Sequence, residues 1–507
     1  MNQYEHIPRK QLISVEDSIK KILLQLNTKG CRALIVGGAV RDAILGITPK
    51  DVDIEVYKIS YNDLKEFLEK YGVVNLVGKT FGVIKFKPYG GFPETIFSDY
   101  EYDFSIPRKE NKVGVGHTSF EIKFDLNMSI RDAGLRRDCT FNALSYDPIE
   151  NKIYDYFGGL DDLKNGIIRH TSEQFKEDSL RILRILQFQS RFNFKIHPDT
   201  IKEIRNILET TKDFEDLSKE RIFEEWMKFA VKGIRHDLIF DFLRETTLIN
   251  KYPILKALAS CPQDKFYHSE GDVEVHTKKT LLEIDKIIDR ENISGNEKMT
   301  LVMVLLLHDV GKALTTKNEF KRGRMTITSN GHEALGGEMA KTFLEQLGFH
   351  EELIIPICNL IANHLASVSI SSIANKSGQL RAVKRLSRRL HPATIQQLLY
   401  VIEADHKGRG LKKNVFQRFI FFVKKLFKGD NHATGLKLLS DLSKEINVKH
   451  KSYEYFLMGR HLIAEGLKPS PKFREILQKS YDAQENGDFQ NLDGAKEWLK
   501  KYLQTIE

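Results

Sequence analysis

Two groups of residues in this chain have the types and spacing to do chemistry. The first is in Asp51-Val52-Asp53-Ile54-Glu55-Val56-Tyr57. On a strand, side chains alternate, so Asp51, Asp53 and Glu55 share one face and Val52, Ile54 and Val56 the other. The aliphatic face belongs in a core. The acidic face is repulsive unless it is solvated or holds cations, and carboxylates about 7 Å apart along a strand can converge on a divalent metal. Ten residues upstream stand Gly37-Gly38-Ala39-Val40-Arg41. Glycines there let backbone N–H groups approach phosphate oxygens, a helix start adds its dipole, and Arg41 can clamp the same triphosphate. The second group follows the apolar run Leu301 to Leu307, which ends in His308-Asp309. A buried helix is a poor place for solvated charge, and a metal satisfies both residues.

These groups need elements to hold them. Arg32 to Val36 reads as a buried strand, turned by Gly37-Gly38 into a short helix, and a second strand starts at Asp51. Further β-like runs are FGVIKF (81–86) and FEIKF (120–124), and from about Phe175 the apolar spacing is helical almost to the end. The order predicts an α/β head with a mixed sheet, then a mostly helical body. Asp178 and Arg181, three apart, are expected on one helix face with Arg184 a turn further. An Asp accepts from an amino group and an Arg donates to a nitrogen or carbonyl acceptor, so by itself the pair reads as a surface ion pair that could also meet a hydrogen-bonding edge. Lys412 to Lys428 is basic and aromatic, which reads as a core helix with a solvated lysine face, or as a membrane- or RNA-binding helix.

Composition sets the limits. The 507 residues are 41% hydrophobic and 29% charged, with 78 basic and 69 acidic side chains and a net charge of +9. That excludes large-scale disorder, suits a polyanionic partner, and suggests about three or four domains. No run approaches the ~20 apolar residues of a membrane span, and the first residues lack a signal-peptide core. Cys31, Cys139, Cys261 and Cys358 have no CxxC spacing, so a reducing cytoplasm is expected.

The string GGAVRDAILGITPKDVDI (37–54) resembles the first motif of class II template-independent RNA nucleotidyltransferases, the CCA-adding enzymes and bacterial poly(A) polymerases. The resemblance continues in order through LRRDCTFNAL (135–144), DYFGGLDDL (155–163), EDSLRILR (177–184) and SKERI (218–222). It implies two-metal phosphoryl transfer with Mg²⁺ on Asp51 and Asp53, and Asp103 as a third carboxylate. It also implies that Gly38, Arg41 and Arg137 contact the nucleotide's phosphates or ribose, with Asp138 near the sugar, Arg184 on phosphate or ribose, and Asp178 and Arg181 choosing the base.

Further on, His276, His308-Asp309, His332, His364 and Asp405 form an ordered set resembling the HD phosphohydrolase superfamily. That resemblance implies one divalent metal, of unspecified identity, on His276, His308, Asp309 and Asp405, and a second on His332 and His364. An HD module behind such a head resembles one bacterial subgroup of CCA-adding enzymes, in which it carries phosphatase, 2′-nucleotidase and cyclic phosphodiesterase activity. Gly459 to Pro469 resembles a C-terminal helical motif of some of these enzymes, so the tail is expected to be structural or RNA-facing. The expected division is a head (1–170), a helical neck (171–262), an HD domain (263–410) and a tail (411–507). The expected function is addition of C, C and A to the tRNA 3′ end from CTP and ATP. Two alternatives stay open: a poly(A) polymerase or CC- or A-adding partial enzyme, and an HD metallohydrolase whose head only binds RNA or nucleotide.

Overall fold

The computed structural model describes residues 4–49, 51–76, 82–89, 101–112, 120–321, 323–409 and 431–506. They form two compact units that divide between Ile249 and Asn250. The basic aromatic stretch Lys412 to Lys428 lies outside the described residues. Among the described residues no helix is long and apolar enough to cross a membrane, and all four cysteines are free.

The first unit is built on a sheet. Its strands are β1 (Glu5–His6), β2 (Arg32–Val36), β3 (Val52–Tyr57), β4 (Gly72–Leu76), β5 (Val83–Pro88) and β6 (Tyr102–Ser105). Then come β7 (Arg108–Lys112), β8 (Phe120–Phe124), β9 (Ser145–Asp147) and β10 (Lys152–Tyr154). Eight of them pair in the order β1-β10-β9-β2-β3-β6-β5-β4, while β7 and β8 form a separate hairpin. Only β3 and β6 run parallel in this sheet, so it is mixed as expected. Ile54, Val56 and their β2 neighbours are buried. Helix Asp17–Thr28 is amphipathic, burying Ile19, Ile22, Leu23 and Leu26 at helical spacing.

The expectation of an acidic strand face needs correction at Glu55. It is buried, its carboxylate meeting Arg136 at 3.0 Å and the Tyr57 hydroxyl at 2.6 Å. The cations held there are guanidinium groups. Burial alone would raise the Glu55 pKa, but Arg137 and Arg136 with Tyr57 hold it below the usual value.

Helix Arg181–Phe192 packs against Lys219–Lys232 and carries an aromatic cluster, with Phe188 edge-on to Phe141 at 5.6 Å between centroids. Before it, Asp155 caps helix Gly159–Asn165 by accepting from the N–H groups of Gly159 (2.8 Å) and Leu160 (2.9 Å). Gly159 has to be glycine, because an added Cβ would stand 2.5 Å from the Thr140 carbonyl oxygen.

The second unit is helical around Gly295–Leu307, whose residues from Met299 to Leu307 are all buried. Helices Val273–Glu291, Glu351–Asn363 and Ile395–Gly408 surround it. The reading "helical almost to the end" is corrected by an antiparallel hairpin, Lys317–Lys321 with Arg324–Thr328. Its apolar residues, Phe320 and Met325, are exposed, so they gave no helical core pattern to conflict with. In the tail, Leu457, Leu462, Ile476, Ala483, Phe489, Ala495 and Leu499 form a core. Buried Glu485 fixes helix Pro471–Asn486 to Lys376–Leu390 through Arg385 (2.8 Å) and Arg388 (3.2 Å).

Candidate functional sites

In the first unit the Gly37-Gly38 turn links β2 to helix Gly38–Ile44, with Gly37 at φ +70°, a region that favours glycine. Asp53 pairs with Val36 across the antiparallel β2–β3 ladder and with Asp103 across the parallel β3–β6 ladder. Asp103 therefore stands beside Asp53 on the neighbouring strand, although 50 residues separate them. Desolvation raises the Asp53 pKa, Arg137 opposes it, and Asp103, Asp51 and Glu55 add like charge. Desolvation likewise raises Asp103, against Lys85 and with Glu101 and Asp51. Carboxylates on neighbouring strands, whose like charge adds to the desolvation of Asp53 and Asp103, are chemistry suited to a hard divalent cation.

A cavity of about 600 Å³ lies beside them. Its lining includes Gly38, Arg41, Asp51, Asp53, Arg137, Asp138, Asp178, Arg181 and Arg184, residues expected from three separate motifs; Asp103 is outside the lining. Arg136, Gln187, Phe188, Arg191, Arg221, Lys228 and Lys232 join them, so nine arginines and lysines face four aspartates. The strength of that field registers on Lys232, whose pKa is lowered by burial and then by Arg191 and Lys228. An excess of cations around glycine backbone is chemistry for a polyphosphate.

The walls of this cavity are tied together. Buried Asp138 accepts from Arg184 Nε (2.6 Å), Asn142 Nδ2 (2.7 Å) and the Cys139 N–H (2.7 Å). Asn142 in turn accepts from Arg41 (2.7 Å), which also binds Asp42 and lies over the rings of Phe188 and Phe192. Arg41 is thus largely buried. The expected helix-face pairing of Asp178 and Arg181 is corrected: Asp178 sits before the helix in extended conformation, φ −135° and ψ 102°, and the helix begins at Arg181. Arg221 binds Asp178 at 2.7 Å, while the Arg181 guanidinium donates to the carbonyl oxygens of Gln174 and Arg136. Both residues still line the same cavity.

The second unit brings all six expected residues together. His308, His332 and His364 place Nδ1 on the carbonyl oxygens of Leu305 (2.9 Å), Ser329 (2.7 Å) and Ile361 (2.7 Å). A carbonyl only accepts, so Nδ1 carries the proton and Nε2 keeps its lone pair for the centre. His276 differs, lying between two carboxylates with Nδ1 2.9 Å from Glu270 and Nε2 2.9 Å from Asp405, which raise its pKa against the effect of burial. Asp309 lies 3.3 Å from the Nε2 atoms of both His308 and His332, and 3.7 Å from that of His276.

Two observations test whether a metal fits. The Nε2 atoms of His332 and His364 face each other at 3.3 Å, an arrangement of two lone pairs that a cation between them relieves. The Nε2 of His308 is buried without a hydrogen-bond partner. The His364 pKa is pushed down to about 3, by burial first and then by His308 and His332, so its imidazole is neutral. The ligand atoms fall into two groups close enough for a metal, His276 with His308 and Asp405, and Asp309 with His332 and His364. The donor set fits one or two divalent ions.

Sequence reasoning missed His268, Glu270, Lys312 and Arg409. His268 and Glu270 precede the helix that carries His276, and with it they make a third such group. Lys312 reaches Asp309 (2.7 Å) and Gln263 (2.8 Å), and Arg409 reaches Asp405 (2.6 Å). Only the Gly-Lys that follows His308-Asp309 offered a signal. Asp309, Lys312, His332, His364, Asp405 and Arg409 line a cavity of about 580 Å³, which mixes imidazole and carboxylate groups with two cationic side chains.

Comparison with known proteins finds a family for the segment around each cavity. The family described as "Poly A polymerase head domain" matches residues 33–169, and that described as "HD domain" matches 273–406. A "Multifunctional CCA protein" of Acinetobacter baumannii (strain SDF) is 31% identical over 384 residues, covering 74% of this chain and 84% of the relative. Its namesake in Pasteurella multocida (strain Pm70) is 31% identical over 387 residues, covering 74% and 83%. In fold, the chain is similar to the Bacillus stearothermophilus CCA-adding enzyme in complex with CTP, with a TM-score of 0.58, 20% identity, and 97% of this chain and 99% of that one covered.

Proposed function

Because the chain belongs to the family of multifunctional CCA proteins, we propose that it adds C, C and A to the 3′ end of tRNA, using CTP and ATP, as a tRNA nucleotidyltransferase. The observation that carries this reading is the single cavity lined from four sequence motifs, Arg221 supplying the fourth, with nine cations to four aspartates and Asp51 and Asp53 at its edge. In this reading Asp51, Asp53 and Asp103 hold Mg²⁺, which when bound activates the RNA 3′-hydroxyl and neutralises the leaving pyrophosphate. The Gly37-Gly38 turn, Arg137, Arg191, Lys228 and Lys232 bind the triphosphate and orient its α-phosphorus for attack. The 3′-oxygen forms the new P–O bond as the bond to pyrophosphate breaks. Asp178, steadied by Arg221, and Arg181 meet the base edge, so selection is made by protein groups without a template.

The second unit serves as a metal-dependent phosphohydrolase acting on 3′-terminal phosphates, including cyclic ones. His276, His308, Asp309, His332, His364 and Asp405 hold one or two divalent ions, which when bound supply a hydroxide at neutral pH. Lys312 and Arg409 take the phosphate oxygens. The chain works in the cytoplasm, with a head (1–170), neck (171–262), HD domain (263–410) and tail (411–507).

The test is direct. The protein is incubated with tRNA lacking CCA and with each nucleotide alone and combined, and product lengths are read. Addition of three nucleotides only when CTP and ATP are both present is the expected result. Long extension with ATP alone would make it a poly(A) polymerase, one or two added nucleotides a partial enzyme, and no extension would leave a head that only binds.

A further inference from the structure

The hairpin Lys317–Lys321/Arg324–Thr328 is unexplained by the metal centre, yet it adjoins it. Ile327, Thr328 and Ser329 at its end line the same cavity as Asp309 and His332. The register pairs Phe320 with Met325 and Asn318 with Ile327, so Ile327, Met325 and Phe320 share one face of the ribbon. An apolar strip therefore runs outward from the cavity rim toward the turn. Its outer members are strongly exposed, Phe320 at 70% and Met325 at 61%. Side chains of this kind at the end of a two-stranded ribbon serve no core.

The other face is polar and basic. Lys317 and Lys321 flank Glu319, at 2.7 and 2.5 Å. Arg324 is held by Asp264 (3.3 Å) and lies over the Phe266 ring, 5.2 Å from its centre, which anchors the hairpin to the segment that carries Tyr267 into the cavity. A flat apolar and aromatic surface backed by cations, continuous with a cavity holding Lys312 and Arg409, matches a single-stranded polynucleotide, with bases on the apolar face and phosphates near the cations.

We propose that this hairpin is a stacking platform for the unpaired nucleotides at an RNA 3′ end, and that it makes polynucleotide ends, rather than free mononucleotides, the preferred substrates of the HD cavity. The proposal rests on the phosphohydrolase reading of that cavity. A mononucleotide fills the cavity alone, whereas an RNA end lays its preceding bases over Phe320 and Met325.

The experiment uses the full chain with Mg²⁺, Mn²⁺, Co²⁺ or Ni²⁺ supplied in turn. It compares hydrolysis of 2′,3′-cyclic AMP with that of a tRNA ending in a 2′,3′-cyclic phosphate. For a double variant, Phe320→Ala with Met325→Ala, KM for the RNA should rise about tenfold, while KM for the mononucleotide stays within about twofold. Phe320→Trp, which keeps a stacking face, should retain the wild-type preference for RNA. Parallel changes with both substrates, or none with either, overturn the platform. If wild type hydrolyses the mononucleotide but not the RNA, the phosphohydrolase reading stands and the platform fails. Hydrolysis of neither substrate removes both readings.

Discussion

Arg221 holds Asp178 at 2.7 Å across 43 residues of sequence, joining the segment before helix Arg181–Phe192 to the start of helix Lys219–Lys232. The carboxylate facing the nucleotide cavity is therefore positioned by a residue from a different motif. Removing the carboxylate should damage selectivity as well as rate, because a base without a donor at that position is no longer disfavoured there. Asp178→Ala is expected to bring UTP and GTP closer to CTP and ATP by roughly 1–3 kcal/mol. Arg221→Ala should give a smaller change of the same sign, and Arg137→Ala an equal loss for all four nucleotides. The measurement is kcat/KM for each nucleotide; a uniform loss in Asp178→Ala would mean that base choice is made elsewhere.

Asp53 and Asp103 stand in register on adjacent strands, with Asp51 at the start of the same edge. Asp51→Ala and Asp53→Ala should abolish nucleotide addition, a loss of several kcal/mol of transition-state stabilisation, on the order of a thousandfold or more. Circular dichroism and tRNA binding should stay near wild type, and Asp103→Ala should lower the rate at limiting Mg²⁺ more than at saturation. Near-normal incorporation by either of the first two variants would remove the metal assignment.

The two ligand sets lie in different compact units. His308→Ala or Asp309→Ala should eliminate metal-dependent phosphatase and cyclic phosphodiesterase activity and lower the bound-metal content measured by mass spectrometry, while CCA addition continues. Concurrent loss of both activities in a folded variant would show that the units are coupled.

Asp138 offers a test of stability. Burial would raise its pKa, but Arg184, Asn142 and the Cys139 N–H hold it below the ordinary value. A depressed carboxylate stabilises the fold fully above its unfolded pKa of about 3.9 and loses that contribution as pH falls through the folded value. Asp138→Asn should therefore lower stability at neutral pH by on the order of 2–3 kcal/mol, since it leaves Arg184 with only the more distant Glu225 carboxylate at 3.7 Å. The deficit should shrink on acidification below pH ~4, where wild type loses the same charge. Thermal melts of both proteins across that range would check the sign.

What the sequence made legible was local. The strand Arg32–Val36, the Gly37-Gly38 turn, the alternation at Asp51 and Asp53, and the apolar run ending in His308-Asp309 all announce themselves within a few residues. What it hid was pairing at a distance. Nothing near Glu55 says that Arg136 will cover it, since the guanidinium comes from a helix 81 positions further on. Asp178 and Arg181 look like helix neighbours, but the Asp178 carboxylate also accepts from the Leu180 N–H (3.2 Å), a local turn that competes with the helix. Glu270 stands in a loop with no periodicity, and only the fold brings it to His276. The family resemblance supplied Asp103, while the parallel ladder beside Asp53 gives the physical reason for it.

Helix Gly295–Leu307 carries a consequence for anyone dissecting the chain. From Met299 to Leu307 it has no wet side, and its neighbours Val273–Glu291, Glu351–Asn363 and Ile395–Gly408 come from segments spread over more than a hundred positions. A truncation that removes any one of the three strips a flank from a rod that is apolar from Met299 to Leu307 except for Thr300. Such fragments should precipitate on expression instead of yielding a smaller working hydrolase. His308 at its end and the residues gathered around it inherit this indivisibility, so the site can be altered residue by residue but not trimmed to a minimal piece.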